Sequence, residues 1–74
     1  MKYIVTGGSG FIGTNVINSL LCRNNDVINV DIEKPRNINH NKYWINCNIC
    51  DYDKLKKIIL DFKPDYIIHL AAKT

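Results

Sequence analysis

Seventy-four residues, 46% of them hydrophobic and 23% charged, make an ordinary globular composition that argues against disorder, and the length allows one small domain at most. Ten basic residues dispersed among seven acids leave a net charge of +3, too modest to point to nucleic acid. No apolar run approaches the length of a membrane span or a signal-peptide core, and a strand begins directly after Met1, so the expectation is a cytoplasmic chain with no membrane partner.

Lys2 to Thr6 reads as the first strand, and the run Thr6-Gly7-Gly8-Ser9-Gly10-Phe11-Ile12-Gly13 follows it directly. Glycine stands here where a strand must turn sharply into a helix beside a diphosphate. The first glycine makes the tight turn, the second lets the backbone approach the pyrophosphate, and the third lets helix and strand pack closely. Gly8-x-Gly10-x-x-Gly13 also satisfies the six-residue dinucleotide fingerprint within the same segment. The helix that follows, from about Gly10 to Arg23, carries apolar residues at Phe11, Ile12, Val16, Ile17, Leu20 and Leu21. Its first amides and its dipole favour an anion by about 0.3–1 kcal/mol where exposed. Asn24 suits a left-handed C-terminal cap.

Val27 to Asp31 reads as the second strand, and Ile32 to Asn41, polar and holding Pro35, as a loop crossover with no regular helix. Tyr43 to Cys47 is rich in aromatic and β-branched residues and reads as the third strand. Asp51 can cap a second helix whose apolar positions Leu55, Ile58, Ile59 and Phe62 recur at helical spacing, and Pro64 closes it. Tyr66 to Ala72 is a nearly continuous apolar run, of the kind buried on both faces in a parallel sheet.

Strands alternating with crossovers imply an α/β fold with parallel pairing, and right-handed connections restrict the order to 3-2-1-4 with the two helices on opposite faces. The topological switch then lies between strands one and four, where ligands bind beyond the carboxyl ends. Gly7 to Gly10 and Ala71 to Lys73 both sit there. A complete six-stranded sheet needs about twice this length, so residues 1–74 are expected to be the N-terminal part of a Rossmann-like domain.

The residues now described resemble the extended short-chain dehydrogenases, specifically the nucleotide-sugar epimerase and dehydratase family. Four marks carry the resemblance: Val5 to Gly13 with the Gly7-x-x-Gly10-x-x-Gly13 spacing, Asp31 closing strand two, Asn48-Ile49-Cys50-Asp51 after strand three, and His69-Leu70-Ala71-Ala72 on strand four. The resemblance implies NAD as cofactor, held by Gly7, Gly10, Phe11, Ile12, Gly13, Asp31, Asn48, Ile49, Ala71, Ala72 and Lys73. Asp31, eighteen positions after Gly13, can accept hydrogen bonds from the adenosine ribose and would repel a 2′-phosphate. Lys34 and Arg36 are cations able to accommodate that phosphate. Asn48 stands where the family usually carries aspartate; it keeps a carbonyl acceptor for adenine but not the charge. Lys73 either reaches a phosphate or ribose oxygen or is merely solvated, and His69, inside an apolar strand with no acid partner, is expected to pack beneath the site.

The family's Tyr-x-x-x-Lys pair, which moves a proton while hydride passes to nicotinamide, belongs downstream, so no catalytic residue is expected in this chain. Tyr52-Asp53-Lys54-Leu55-Lys56 matches the letters but opens the second helix near the adenine end. A nucleotide-sugar substrate and a homodimeric parent are likewise implied by the resemblance. Two other readings stand beside the enzyme: a dinucleotide-binding module or remnant without turnover, and a redox site at Cys47-Asn48-Ile49-Cys50. The odd count of three cysteines suggests reduced thiols, and no histidine pair completes a metal site. Strand four, without the strands that normally follow it, is expected to be an unpaired edge.

Overall fold

In the computed structural model, which describes residues 1–71, the elements run β1 (Lys2–Thr6), α1 (Phe11–Cys22), β2 (Asp26–Asp31), a 3-10 helix (Ile38–Tyr43), β3 (Trp44–Asn46), α2 (Tyr52–Phe62) and β4 (Tyr66–His69). The four strands form one parallel sheet in the order β3-β2-β1-β4. Val5 of β1 lies opposite Asn29 of β2 and Ile68 of β4.

Successive side chains on a strand point to opposite faces, and the core divides accordingly. Ile4, Val30 and Cys47 pack with Leu55, Ile58, Ile59 and Phe62 of α2. Val5, Ile17 and Val27 pack with Val16, Leu20 and Leu21 of α1 and Ile68 of β4. The helices therefore cover opposite faces. Ile4, Val5, Ile17 and Val30 are fully buried, each contributing about 1.5–3 kcal/mol of transfer free energy.

Both helices end where their chemistry dictates. Asn24 takes a left-handed φ of 62° after α1, and its amide donates to the Leu21 carbonyl at 3.0 Å. Asp51 caps α2 by accepting from the Lys54 amide at 3.2 Å. At the far end Lys63 is left-handed at 53° and Pro64 prevents continuation.

Three sequence expectations change. The crossover is not all loop, because the polar segment Ile38–Tyr43 winds into a 3-10 helix capped by Asn37, whose side chain accepts from the Asn39 amide at 2.9 Å. His40, only 2% exposed, anchors it to α1 through a 2.7 Å hydrogen bond between Nε2 and Asn18 Oδ1. Polar side chains so distant in sequence leave no mark on a hydrophobic period. The second change is that β3 begins at Trp44, since Tyr43 closes the 3-10 helix. Lastly, β4 stops at His69 and is not buried on both faces: it pairs with β1 alone, leaving Tyr66 and Ile67 about half exposed. Among the described residues β4 is an edge strand of the sheet.

Candidate functional site

The corner where β1 turns into α1 is built around glycines whose missing side chains leave room for the protein itself. Gly7 has a φ of +71°, and its amide crosses to the Val30 carbonyl at 2.9 Å. A Cβ on Gly7 would lie 2.7 Å from the Ala71 amide nitrogen, and one on Gly13 would lie 2.5 Å from Gly8 Cα. The chain has closed on these positions. Gly10 differs: its φ of −76° suits any residue, and a Cβ there would meet nothing nearer than the Gly7 carbonyl at 3.9 Å. Among the described residues nothing demands glycine at position 10. The space in front of it is open.

That open space faces the start of α1. The first intrahelical bond runs from the Thr14 amide to the Gly10 carbonyl at 2.9 Å, so the amides of Phe11, Ile12 and Gly13 have no partner within the helix. No side chain caps them, and no acid stands in the first turn. The contrast with α2 is direct, since Asp51 caps that helix and Asp53 stands in its first turn. Of the two α-helices, α1 is the one whose start has neither a side-chain cap nor an acid set against the positive end of its dipole. Phe11 and Ile12, expected to belong to the apolar stripe of α1, are instead 70% and 65% exposed beside the glycine loop. They lie too close to the helix start to reach the sheet, which Val16, Ile17, Leu20 and Leu21 cover.

Asp31, at the tip of β2, directs its carboxylate toward the same loop. Oδ2 accepts from the Ser9 amide and Oδ1 from the Glu33 amide, each at 2.9 Å. Each carboxylate oxygen retains a further acceptor position. The Asp31 carbonyl is held from β3, accepting from Trp44 Nε1 at 2.9 Å and from the Cys47 amide at 3.3 Å. Just beyond, Asn48 Oδ1 accepts from the Cys50 amide at 2.9 Å in a local turn, and Ile49 packs against the α2-side core. Gly7, Gly10, Phe11, Ile12, Gly13, Asp31, Asn48, Ile49 and Ala71 thus share one edge of the sheet, beyond the carboxyl ends of its strands. Ala72 and Lys73 lie outside the described residues.

At the β4 end, Thr6 is 3% exposed, and its Oγ1 accepts from the amides of Leu70 at 3.2 Å and Ala71 at 3.4 Å. His69 Nδ1 lies 2.7 Å from the same oxygen, within hydrogen-bond distance. His69 is exposed rather than packed beneath the site, a consequence of its place on an edge strand. Sequence reasoning missed Thr6, Ser9, Asn29 and Trp44. Asn29 offered a signal, a polar residue in the middle of an apolar strand, and it proves fully buried.

The Cys47-x-x-Cys50 pair has one buried and one exposed thiol. Burial pushes the Cys47 thiol above its ordinary range, against a smaller pull from Lys54. A reactive redox thiol requires the opposite shift. Among the described residues no three His, Cys, Asp or Glu side chains gather as a metal site, and no helix is long and apolar enough to cross a membrane. A cavity of about 450 Å³ between Leu21, Asp26 and Phe62 lies at the other end of the sheet, out of reach of the glycine loop.

Known proteins resemble this chain in sequence and in fold. The model of the NAD dependent epimerase/dehydratase family matches residues 3–74. A probable dTDP-glucose 4,6-dehydratase of Sinorhizobium fredii is 36% identical over 83 aligned positions, which take in 100% of this chain and 24% of that protein. A putative UDP-glucose 4-epimerase of Methanocaldococcus jannaschii is 39% identical over 95% of this chain and 24% of its own. Among solved structures, the UDP-glucose 4-epimerase of Thermotoga maritima with UDP-glucose superposes with a TM-score of 0.86 at 32% identity, covering 100% of this chain and 25% of that one. The Thermus thermophilus UDP-glucose 4-epimerase in complex with NAD gives 0.85 at 28% identity, with the same coverage of 100% and 25%. This chain therefore spans about a quarter of the length of these relatives.

Proposed function

Because this chain belongs to the NAD-dependent epimerase/dehydratase family, we propose that it is the N-terminal, cofactor-binding part of an NAD-dependent oxidoreductase that epimerises or dehydrates a nucleotide sugar. The observation that carries the reading is the open Cβ position at Gly10 in front of an uncapped helix start. A fold has no internal reason to keep both, whereas a diphosphate uses both.

In this reading the amides of Phe11, Ile12 and Gly13 donate to the diphosphate, with Gly7 setting the turn and Gly10 admitting the phosphate to the backbone. The remaining acceptor positions of Asp31 take the adenosine ribose hydroxyls, and its charge opposes a 2′-phosphate. Asn48 and Ile49 border adenine. Small residues at Ala71 and Ala72 leave room on the nicotinamide side, and Lys73 adds a cation for phosphate or ribose. NAD, when bound, supplies the acceptor for the hydride that leaves the sugar. The proton-transferring tyrosine and lysine and the sugar pocket fall outside this chain, and Tyr52, 80% exposed at the start of α2, takes no part. The same reading takes the parent as a cytoplasmic homodimer.

Calorimetric titration of the full polypeptide with NAD and with NADP tests the proposal. Tighter binding of NAD, lost in Asp31→Ala, is the expected result. Failure to bind either dinucleotide would refute it, and preference for NADP would remove the role given to Asp31.

A further inference from the structure

Between the glycine loop and the tip of β2 lies a closed set of hydrogen bonds that neither the glycine motif nor the ribose acid accounts for. Asn29 is fully buried, and its amide occupies the space that Gly8 leaves by having no side chain: a Cβ there would sit 2.5 Å from Asn29 Oδ1. Oδ1 accepts from the Gly8 amide at 2.9 Å. A main-chain N–H can only donate, so this contact fixes which end of the Asn29 amide is oxygen. Nδ2 is thereby turned to Ser9 Oγ, to which it donates at 3.0 Å. A carbonyl oxygen can only accept, so the Ser9 hydroxyl donates onward to the Glu33 carbonyl at 2.6 Å. The main chain runs beside this relay, since the Ser9 amide meets Asp31 Oδ2 and the Glu33 amide meets Asp31 Oδ1.

Two bonds from Ser9 therefore clamp residues 31–33 onto the phosphate loop, one to the acid and one to the main chain two residues later. The segment so held leads directly into Lys34 and Arg36, both exposed cations.

We propose that Ser9, oriented by Asn29, is a positioning residue for cofactor selectivity: it holds the Asp31 carboxylate against the ribose position and keeps the Lys34–Arg36 segment from turning in to meet a 2′-phosphate. The inference rests on the dinucleotide reading of this corner. Asp31 provides the discriminating charge; the amide of residue 9 holds one of its oxygens, and the Ser9 hydroxyl acts on the other through residue 33, whose carbonyl it binds and whose amide meets Asp31 Oδ1. Without the hydroxyl, the Glu33 carbonyl is released, Asn29 Nδ2 loses its acceptor, and the two cations gain freedom to approach.

The test is the ratio of NAD to NADP affinity in the full polypeptide, wild type against Ser9→Ala, by calorimetry, with circular dichroism confirming the fold. The ratio is expected to fall about tenfold, the equivalent of one lost hydrogen bond. Adding Lys34→Ala and Arg36→Ala to Ser9→Ala should remove whatever NADP affinity was gained. A merely structural Ser9 would weaken both dinucleotides alike, so an unchanged ratio in a folded Ser9→Ala protein overturns the inference while leaving the site intact. A wild-type protein that binds neither dinucleotide overturns the reading beneath it and the inference together.

Discussion

Gly10 and Gly13 belong to one motif, yet the structure separates what each does, and replacing each by alanine exposes the difference. At position 13 the new methyl would sit 2.5 Å from Gly8 Cα and 2.6 Å from the Gly7 carbonyl oxygen, where carbon contacts normally begin near about 3.5 Å. Main-chain atoms cannot swing aside as a side chain does. Overpacking of this kind costs about 1–3 kcal/mol or more, a large share of the stability of so small a domain. At position 10 the same methyl meets nothing nearer than 3.9 Å, in a backbone conformation alanine accepts. The small loss from alanine at a helix N-cap is offset by a stiffer unfolded chain, leaving a net change within about 1 kcal/mol. Binding should respond in the other order. A methyl in front of the free amides of α1 denies a phosphate oxygen at least one charged hydrogen bond, about 1.5–3 kcal/mol, or roughly tenfold to a hundredfold in NAD affinity. Urea unfolding followed by circular dichroism, paired with NAD titration of the same proteins, measures both quantities. Gly10→Ala is expected to unfold like wild type and bind NAD poorly; Gly13→Ala should lose stability first. Wild-type NAD affinity in Gly10→Ala would refute the argument that the gap in front of this residue admits the cofactor.

Two further outcomes follow from the buried titratable groups. Cys47 is 3% exposed and its thiol is pushed up by burial, so Ellman's reagent should react promptly with Cys22 and Cys50 and reach Cys47 only on unfolding; prompt reaction of all three would place the β3–α2 junction in error. Burial lowers the His40 pKa below its ordinary value of about 6.5, which means the unfolded chain takes up the proton first as pH falls. The stability contributed by neutral His40 is therefore complete above about pH 6.5 and lost as pH drops toward the folded value. The urea midpoint should decline between about pH 7.5 and about pH 5.5, and His40→Gln, which keeps a donor for Asn18, should show a shallower decline; equal slopes would contradict the assignment.

The amino-acid sequence alone determined the parallel α/β sheet, its order 3-2-1-4, the placement of α1 and α2 on opposite faces, and the caps at Asn24 and Asp51. Each of these follows from short-range information: the period of apolar residues, the turn chemistry of glycine, asparagine and aspartate, and the handedness of crossovers. The glycine run and Asp31 were legible for the same reason, as residue types with few other uses at that spacing. Tertiary structure alone decided that at Gly10, unlike Gly7 and Gly13, nothing among the described residues stands in the way of a side chain. It also decided that the polar crossover winds around a buried His40 held by Asn18, and that Asn29 and Ser9 tie the phosphate loop to the segment after β2. These features are contacts between polar groups about twenty positions or more apart, and such a contact exists only once the sheet has brought its strands side by side, because direction and distance, not residue type, make a hydrogen bond.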